Sequence, residues 1–282
     1  MNEHGYGQLD RSRAAEGRGP RAIIGDTAAM PIVVSRSAAP EDLAYWIDYV
    51  WIVRWSVTEP YVQRVIPQPV VHVAAEGHRM WLHGVGERRF SRTLTGDGHV
   101  VGIAFRAGGF RGLIDGPVSA LTRSVRRVGD VVGVDDEPLA QHLLEPGRDD
   151  DELAVAATDW IRDRKPRADP MIDEIAALVD TAEHDLEVLR AEQLARQAGV
   201  SLRTLQRHFG EYVGIGPKWV IQRFRMLDVA AVANAGGDVD WAETAARLGF
   251  SDQSHLTRAF SSVVGQSPAA YVRSVHGGGP AG

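Results

Sequence analysis

The chain contains no cysteine among its 282 residues. This absence excludes disulfide bonds, thiolate zinc sites, a catalytic thiol and a methyl-accepting thiol. No run of about 18 apolar residues is present to cross a bilayer. The first 26 residues are rich in Gly, Arg and Glu and lack the apolar segment of a signal peptide. We therefore expect a cytoplasmic protein without a membrane segment.

The sequence motifs of enzymes are also lacking. There is no Gly-x-Ser-x-Gly nucleophile elbow, no phosphate-binding loop and no cluster of metal ligands. Four histidines, His72, His78, His83 and His99, raise the question of a metal site, but no His-x-His with a following Glu is present. We favour ordinary core and surface histidines. The expectation is a protein with no catalytic residue, no metal and no cofactor.

The first half of the chain is strand-like. Trp51, Val53, Trp55 and Val57 alternate onto one face, which is the period of a half-buried strand. Further strand-like runs at 70–75, 79–85 and 99–108 are separated by the turn signals AEGH and TGDGH. The tryptophans at 46, 51, 55 and 81 either line an apolar ligand pocket or form plain core, and we favour core. Gly108-Gly109 either receives an anion or makes a tight packing turn, and we favour the turn.

The last third of the chain is helical and contains two similar units. In the first, at 190–214, a helix stops at Gly199 and Ser201 caps a second helix. In the second, at 240–265, Gly249 ends a helix, and Ser251 or Asp252 caps the next one. The apolar residues that these second helices turn inward are Leu202, Leu205, Phe209 and Val213 in the first and Leu256, Phe260 and Val263 in the second. A helix over 217–236 connects the units, starting at Pro217 and ending at Gly236-Gly237.

Polar side chains remain on the outer faces of these second helices. They are Arg203, Gln206 and Arg207 in the first unit and Gln253, Ser254, Thr257 and Arg258 in the second. Arg can pair with guanine and Gln with adenine in a major groove, and both can bind phosphates. A single helix-turn-helix is also a common packing unit, but its duplication favours DNA.

The charge of the chain is unevenly distributed. The net charge is −6, which argues against phosphate binding. Between Arg196 and Arg225, however, six cations stand against the single anion Glu211, a local balance of 6 − 1 = +5. This cluster is either a DNA-facing patch or a solvated helix face. From Pro166 onward the balance is 11 − 14 = −3, so we expect modest affinity for nonspecific DNA.

The segment AARLGFSDQSHLTRAFSSVVGQSPAAYVR (245–273) resembles the signature of AraC-type (AraC/XylS) transcription regulators, and 194–226 resembles the first helix-turn-helix and linker helix of that family. The resemblance implies that recognition helices at about 201–211 and 251–263 enter successive major grooves, ~34 Å apart. Their seven polar residues would then contact DNA, with Arg207 and Arg258 mattering most. Double-stranded promoter DNA is the implied partner, and RNA polymerase, a small-molecule effector and a second copy of the chain are compatible with the family.

The N-terminal half is similar to a domain of unknown function often found before AraC-type modules, which implies a barrel or cupin-like sensor controlled by a ligand or partner. The predicted class is α+β, a β-rich N-terminal domain followed by an all-α domain with two helix-turn-helix units. The predicted divisions are a disordered tail at 1–30, a sensor or dimerisation domain at 31–133, a helical connector at 134–165, a DNA-binding domain at 166–276 and a tail at 277–282. The alternative function is a helical protein-interaction adaptor that does not bind DNA.

Overall fold

The computed structural model describes residues 31–86, 90–235 and 239–276. Within them, an antiparallel sheet from the first half of the chain is followed by ten α-helices. The predicted α+β class, with a β-rich N-terminal part and a helical C-terminal part, is confirmed. The predicted tails and the predicted helix end at Gly236-Gly237 lie outside the described residues.

The sheet has six strands in the spatial order β1-β2-β5-β3-β4-β6, and every pair is antiparallel. The long β2 and β5 form its centre, and a bulge between Val57 and Tyr61 interrupts their pairing. In the described part of the chain, β1 and β6 are the two edges and do not pair with each other. The strands are β1 Ile32–Ala38, β2 Ile47–Val65, β3 His72–Glu76, β4 Arg79–His83, β5 Phe90–Phe105 and β6 Val125–Arg127.

The segment TGDGH does not form the predicted turn, because β5 runs through it without a break. Two of the glycines in β5 leave room for aromatic rings from β2. A Cβ on Gly98 would lie 2.5 Å from Trp55, and one on Gly102 would lie 2.1 Å from Trp51. Gly98 and Gly102 therefore serve close packing between strands, whereas Gly96 has a left-handed φ of +56° and a Cβ there would meet nothing within 4 Å among the described residues. The predicted AEGH turn is confirmed, since it joins β3 and β4 with Gly77 at φ +63°.

The two faces of the sheet differ in burial. On the face that includes Val50 and Ile52, the side chains are buried beneath helices. Trp51, Trp55 and Trp81 lie on the opposite face and remain partly exposed. The predicted alternation along β2 is therefore correct, but the preference for plain core was wrong for these three tryptophans. Trp46 does pack against the hydrophobic core.

The Gly108-Gly109 segment forms the predicted tight turn. Gly108 has φ +84° and leads into a 3-10 helix at Gly109–Leu113, and a second 3-10 helix follows at Val118–Leu121. A Cβ on Gly109 would lie only 2.0 Å from the carbonyl oxygen of Trp46. The packing interpretation is thus confirmed, because only glycine allows the two backbones to approach this closely.

Ten α-helices complete the described chain. The first three lie against the sheet, and the remaining seven form the helical part that carries both helix-turn-helix units. They are α1 Val128–Val132, α2 Glu137–Leu143, α3 Asp150–Asp163, α4 Pro170–His184, α5 Ala191–Gln197, α6 Leu202–His208, α7 Pro217–Ala235, α8 Trp241–Arg247, α9 Gln253–Val264 and α10 Pro268–His276.

Helix α3 binds the sheet through both its apolar and its acidic residues. Leu153, Ala157 and Trp160 are buried, as their helical spacing predicts. Asp150 forms an ion pair with Arg54 of β2 at 2.7 Å and accepts a hydrogen bond from the hydroxyl of Ser35 on β1. The segment predicted as a connector therefore packs on the sheet over most of its length.

Candidate nucleic-acid interface

The first helix-turn-helix unit consists of α5, the turn at Gly199 and α6. Gly199 has φ +65°, and the Ser201 hydroxyl caps α6 by accepting a hydrogen bond from the Thr204 amide at 3.1 Å. Leu205 is buried against the core, so the opposite side of α6 must face outward. The three residues predicted to contact DNA are all exposed on that side: Arg203, Gln206 and Arg207.

Helix α6 is shorter than predicted. It ends at His208 and continues as a π-helical turn at Phe209–Val213, which Gly214 closes with φ +92°. Phe209 and Val213 are buried, as predicted, and the amide of Gly214 donates to the carbonyl of Phe209 at 2.8 Å. The π-helical turn therefore occupies the positions at which the recognition helix was predicted to continue.

The second unit consists of α8, the turn at Gly249 and α9. Asp252, one of the two predicted capping residues, caps α9 by accepting a hydrogen bond from the His255 amide at 2.7 Å. The buried stripe is Leu256, Phe260 and Val264. Val264 completes this stripe, and the predicted Val263 is partly buried and also packs against the core.

The outward face of α9 carries the second predicted set. Gln253, Ser254 and Arg258 are exposed, and Thr257 is partly exposed. Together with α6, α9 therefore presents a second polar helix face, and each of the two helices follows a glycine turn. The polar outer sides place hydrogen-bonding side chains where they can reach a partner.

A negative charge lies beside the face of α9. The backbone hydrogen bond from His255, assisted by the Ser251 hydroxyl and by Arg258, holds the pKa of Asp252 below its ordinary value. Asp252 is therefore ionised at neutral pH. Its charge lies at the N-terminus of α9, where the helix dipole favours an anion.

The basic cluster predicted between Arg196 and Arg225 is smaller than its sequence count. Arg223 and Arg225 are buried, with exposures of 3% and 2%, and Arg223 stacks on the Trp219 ring. Glu211, the anion of the cluster, pairs with Arg111 at 3.3 Å. Four of the six cations are exposed and can face a partner: Arg196, Arg203, Arg207 and Lys218.

The four histidines considered above lie in different surroundings. His72 and His83 are opposite each other on β3 and β4, and His83 lies 3.4 Å from Glu76. His99 forms a hydrogen bond with the carbonyl of Leu143 on the other face of the sheet. Among the residues the structure describes, no group of three or more possible ligands could hold a metal ion. No helix in those ranges is long and apolar enough to cross a membrane.

The helical part of the chain is similar to known DNA-binding proteins. A family model described as a helix-turn-helix domain matches residues 194–274. The DNA-binding domain of AdpA, a global transcriptional factor solved in complex with a target DNA, is 31% identical, and the match covers 40% of this chain and 100% of that chain with a TM-score of 0.33. The chain belongs to the AraC-type family of transcription regulators. It is a DNA-binding protein of this family.

Other similarities extend over both halves of this AraC-type regulator. A model described as a domain of unknown function (DUF6597) matches residues 35–127, which confirms the resemblance seen in the N-terminal sequence. The C-terminal domain of AraT, a response regulator from Geobacillus stearothermophilus, is 25% identical, covering 34% of this chain and 84% of that chain with a TM-score of 0.31. ToxT from Vibrio cholerae, solved with an unsaturated fatty acid bound, is 12% identical, covering 89% of this chain and 97% of that chain with a TM-score of 0.43.

The regulator has a contact between its two halves that the sequence did not predict. The Thr122 hydroxyl, just after the second 3-10 helix, donates to the carbonyl of Gly214 at 2.5 Å. Arg111 on the first 3-10 helix reaches Glu211 in the π turn. The sheet part therefore contacts the segment that directly follows α6. We call the contact formed by Arg111, Thr122, Glu211 and Gly214 the junction.

Tyr212 and Asp169 fix the same segment from the helical side. The Tyr212 hydroxyl donates to the Asp169 carboxylate at 2.5 Å, and the Tyr45 hydroxyl of the sheet part donates to the Asp169 carbonyl at 2.5 Å. Burial, followed by this bond to Asp169, raises the pKa of Tyr212 to about 12. The bond from Tyr212 in turn holds the pKa of Asp169 below its ordinary value. The π turn is therefore held on both sides by directional contacts.

Proposed function

We propose that the regulator binds promoter DNA by inserting α6 and α9 into successive major grooves. The observation that supports this most directly is the pair of capped helices with exposed polar faces, each the second helix of its unit. A major groove admits an α-helix, and a spacing of about one helical turn, ~34 Å, allows two such helices to bind one side of the duplex.

The chemistry of the exposed side chains suggests which residues would contribute most to DNA binding. Arg207 and Arg258 are proposed to carry the largest share, since Arg can bind guanine through two hydrogen bonds. Gln206 and Gln253 have the amide groups that pair with adenine. Arg203, Ser254 and Thr257 complete the two faces, and each of the seven is a base-contact or phosphate-contact residue in this proposal.

The sheet domain is proposed to control DNA binding through the junction. This proposal is supported by the position of the contact, because Arg111 bonds to Glu211 in the π turn that follows α6 and Thr122 bonds to Gly214 at the end of that turn. A Cβ on Gly214 would lie 3.0 Å from the Thr122 hydroxyl oxygen, so this contact is close as well as polar. A rearrangement of the sheet domain would therefore shift the first recognition helix before it affects the second.

The proposed partners follow from this mode of action. The regulator would act in the cytoplasm by binding alone, without a catalytic step, a metal or a cofactor. A small-molecule effector at the sheet domain, a second copy of the chain and RNA polymerase are the proposed further partners. Either dimerisation or an effector would raise the modest DNA affinity expected from the local excess of acidic residues, 11 − 14 = −3.

A footprint of the purified full-length protein on its own upstream DNA tests the proposal. Protection over two successive major grooves on one face is expected, weakening as salt rises. Arg207→Ala and Arg258→Ala should lose protection, while Arg64→Ala, an exposed arginine on β2, should keep it. Absence of protection at low as well as at moderate salt would favour the helical protein-interaction adaptor, which does not bind DNA, and protection that survives both substitutions would refute the proposed arginine contacts.

A further inference from the structure

The glycine turns of the two helix-turn-helix units have different neighbours. A Cβ on Gly199, in the turn of the first unit, would meet nothing within 4 Å in the described part of the chain. A Cβ on Gly249, in the turn of the second unit, would lie 2.8 Å from Cδ1 and 2.8 Å from Cδ2 of Leu189. Leu189 lies in the loop between α4 and α5, directly before the first unit. The entry to the first unit therefore contacts the turn of the second.

The loop that carries Leu189 is fixed to α5 by one side chain. The side-chain oxygen of Gln193 accepts hydrogen bonds from the amides of Leu189 at 3.0 Å and Arg190 at 2.8 Å. The side-chain nitrogen of Gln193 donates to the carbonyl of Glu187 at 2.8 Å. Because three backbone groups of the loop are bonded to one residue of α5, Leu189 keeps its position relative to the first unit.

The same loop is also fixed to α7. Val188 is 1% exposed, and the guanidinium of Arg225 donates to the carbonyls of Val188 at 3.3 Å and Asp185 at 2.8 Å. Leu189 itself remains 36% exposed, so it is held in place by its bonded loop more than by core packing. The loop therefore presents Leu189 as a rigid support for the turn at Gly249.

The other main contacts of the second unit run along helices. The unit packs on α7 through α9, α10 packs on α7 beside it, and α8 packs chiefly on α9. Packed helices can shift against each other by about 1–2 Å. A side chain that lies against a backbone glycine allows less movement, because closer approach brings atoms into overlap. Leu189 therefore limits the movement of the second unit just before the chain enters α9.

We propose that Leu189 is a positioning residue that fixes the separation of α6 and α9, and with it the groove spacing that the regulator accepts. One base pair more or less between two grooves changes their distance by about 3.4 Å and rotates one relative to the other by about a tenth of a turn. A fixed pair of helices discriminates against such a change, and a loose pair tolerates it. The effect on groove spacing rests on the proposed binding of both helices to DNA, whereas the effect on helix separation does not.

Distances between spin labels on the full-length protein test the helix separation without DNA. Because the chain has no cysteine, Gln206→Cys on α6 and Ser254→Cys on α9 create the two labelling sites and no others. Double electron–electron resonance should show one narrow distance in this parent. Leu189→Ala should broaden or shift the distance by about 1–2 Å, and Leu189→Val should do so to a smaller extent. Leu189→Met, which nearly conserves the side-chain volume, should keep the narrow distance.

Leu186→Ala is the matched control. Leu186 lies in the same loop and is 45% exposed, and the three atoms nearest to a Cβ on Gly249 all belong to Leu189. The control removes the same atoms as Leu189→Ala and should leave the label distance unchanged. An unchanged distance in Leu189→Ala, or in Leu189→Val if only that variant keeps native circular dichroism, would overturn the proposal. An equal change in Leu186→Ala would overturn it as well.

Binding of the unlabelled variants to duplexes of altered spacing tests the consequence for DNA. The probes are the footprinted upstream duplex and two versions with one base pair inserted or deleted between the protected grooves. The wild type should prefer the natural spacing, and Leu189→Ala should reduce this preference at least about threefold. A residue that only stabilises the fold would weaken binding to all three duplexes alike. An unchanged preference in Leu189→Ala would therefore refute the role in groove spacing.

The label distance and the footprint distinguish failure of this proposal from failure of the proposed DNA binding. A label distance that responds to Leu189→Ala in a protein without a wild-type footprint would refute the proposed DNA contacts and leave the positioning role standing. A wild-type footprint with a label distance that does not respond to Leu189→Ala would refute only the positioning role. A change in both the label distance and the spacing preference would support the proposal in full.

Discussion

Replacement of Arg225 by Met should destabilise the protein without acting through DNA. Arg225 is 2% exposed, and one of its terminal nitrogens donates to the carbonyls of Ala182 at 3.1 Å, Asp185 at 2.8 Å and Val188 at 3.3 Å. The other pairs with Asp228 at 2.9 Å. These carbonyls lie at the end of α4 and in the loop to α5, where helix carbonyls lack intrahelical partners. Arg225 therefore closes the C-terminal end of α4.

The size of the expected loss in unfolding free energy follows from the interactions that the substitution removes. Met retains the apolar stem but removes the guanidinium hydrogen bonds to the carbonyls of Ala182, Asp185 and Val188 and the ion pair with Asp228, while the Asp185 carbonyl keeps the Val188 amide as a donor. Removing one partner of a buried ion pair costs about 3–5 kcal/mol. Because the Asp228 side chain is 20% exposed and can regain water, we expect the lower end, about 3 kcal/mol. The measurement is the free energy of unfolding from urea denaturation, followed by circular dichroism.

Arg203→Met is the matched control, since Arg203 is exposed on α6. Its free energy of unfolding should change by no more than about 0.5 kcal/mol, while its affinity for the footprinted DNA falls. A loss of stability below about 1 kcal/mol in Arg225→Met would refute the role of Arg225 in closing the C-terminal end of α4. A stable Arg225→Met variant with lost DNA affinity would show that Arg225 belongs to the DNA-binding surface after all.

Three further predictions concern the DNA-binding face and the junction. Arg258→Ala should weaken operator binding by about 1–3 kcal/mol in fluorescence anisotropy if Arg258 contacts a base, and an unchanged affinity in the folded variant would contradict this. Thr122→Val should cost about 1 kcal/mol in urea denaturation, because the carbonyl of Gly214 loses its donor, and Ser119→Val, an exposed position on the preceding 3-10 helix, should cost less. The lowered pKa of Asp169 contributes stability that is lost as the pH falls below 3.8, the ordinary pKa of an aspartate. The raised pKa of Tyr212 contributes stability that is lost as the pH rises from 10 to about 12. Thermal melts across pH should show both declines. Tyr212→Phe should reduce the alkaline decline without abolishing it, because burial also raises the pKa of Tyr45 and of Tyr61. A decline that is unchanged in Tyr212→Phe would show that Tyr212 is not a source of it.

The helix-turn-helix units could be predicted because their signals are local. Ser201 and Gly199 act on residues within one helical turn, and the structure shows the predicted cap and a left-handed glycine there. The second unit has the same order of glycine, cap and buried stripe, with Asp252 as its cap. Capping and helical periodicity depend on neighbours three or four residues away, so the sequence alone contains the information.

Features that depend on distant residues were missed or misassigned. TGDGH has the composition of a turn, and only the indoles of Trp55 and Trp51 on another strand explain Gly98 and Gly102 of β5. Arg225 counts as surface charge in the sequence, yet its partners lie some 40 residues earlier in the chain. Thr122 and Gly214, 92 residues apart, gave no signal of their contact. Local composition cannot reveal such partners.

The two recognition helices are held in different ways, which bears on how control could work. The segment that follows α6 is bonded to the sheet domain at Gly214 and Glu211. The main contacts of α9 are instead with α7, α8 and α10, all within the helical part. A change in the sheet domain would thus reach the segment after α6 directly and α9 through other helical elements such as α7. Under the proposed function, an effector would act by altering the position of α6 relative to α9, because a duplex with fixed groove spacing accepts both helices only when that separation fits.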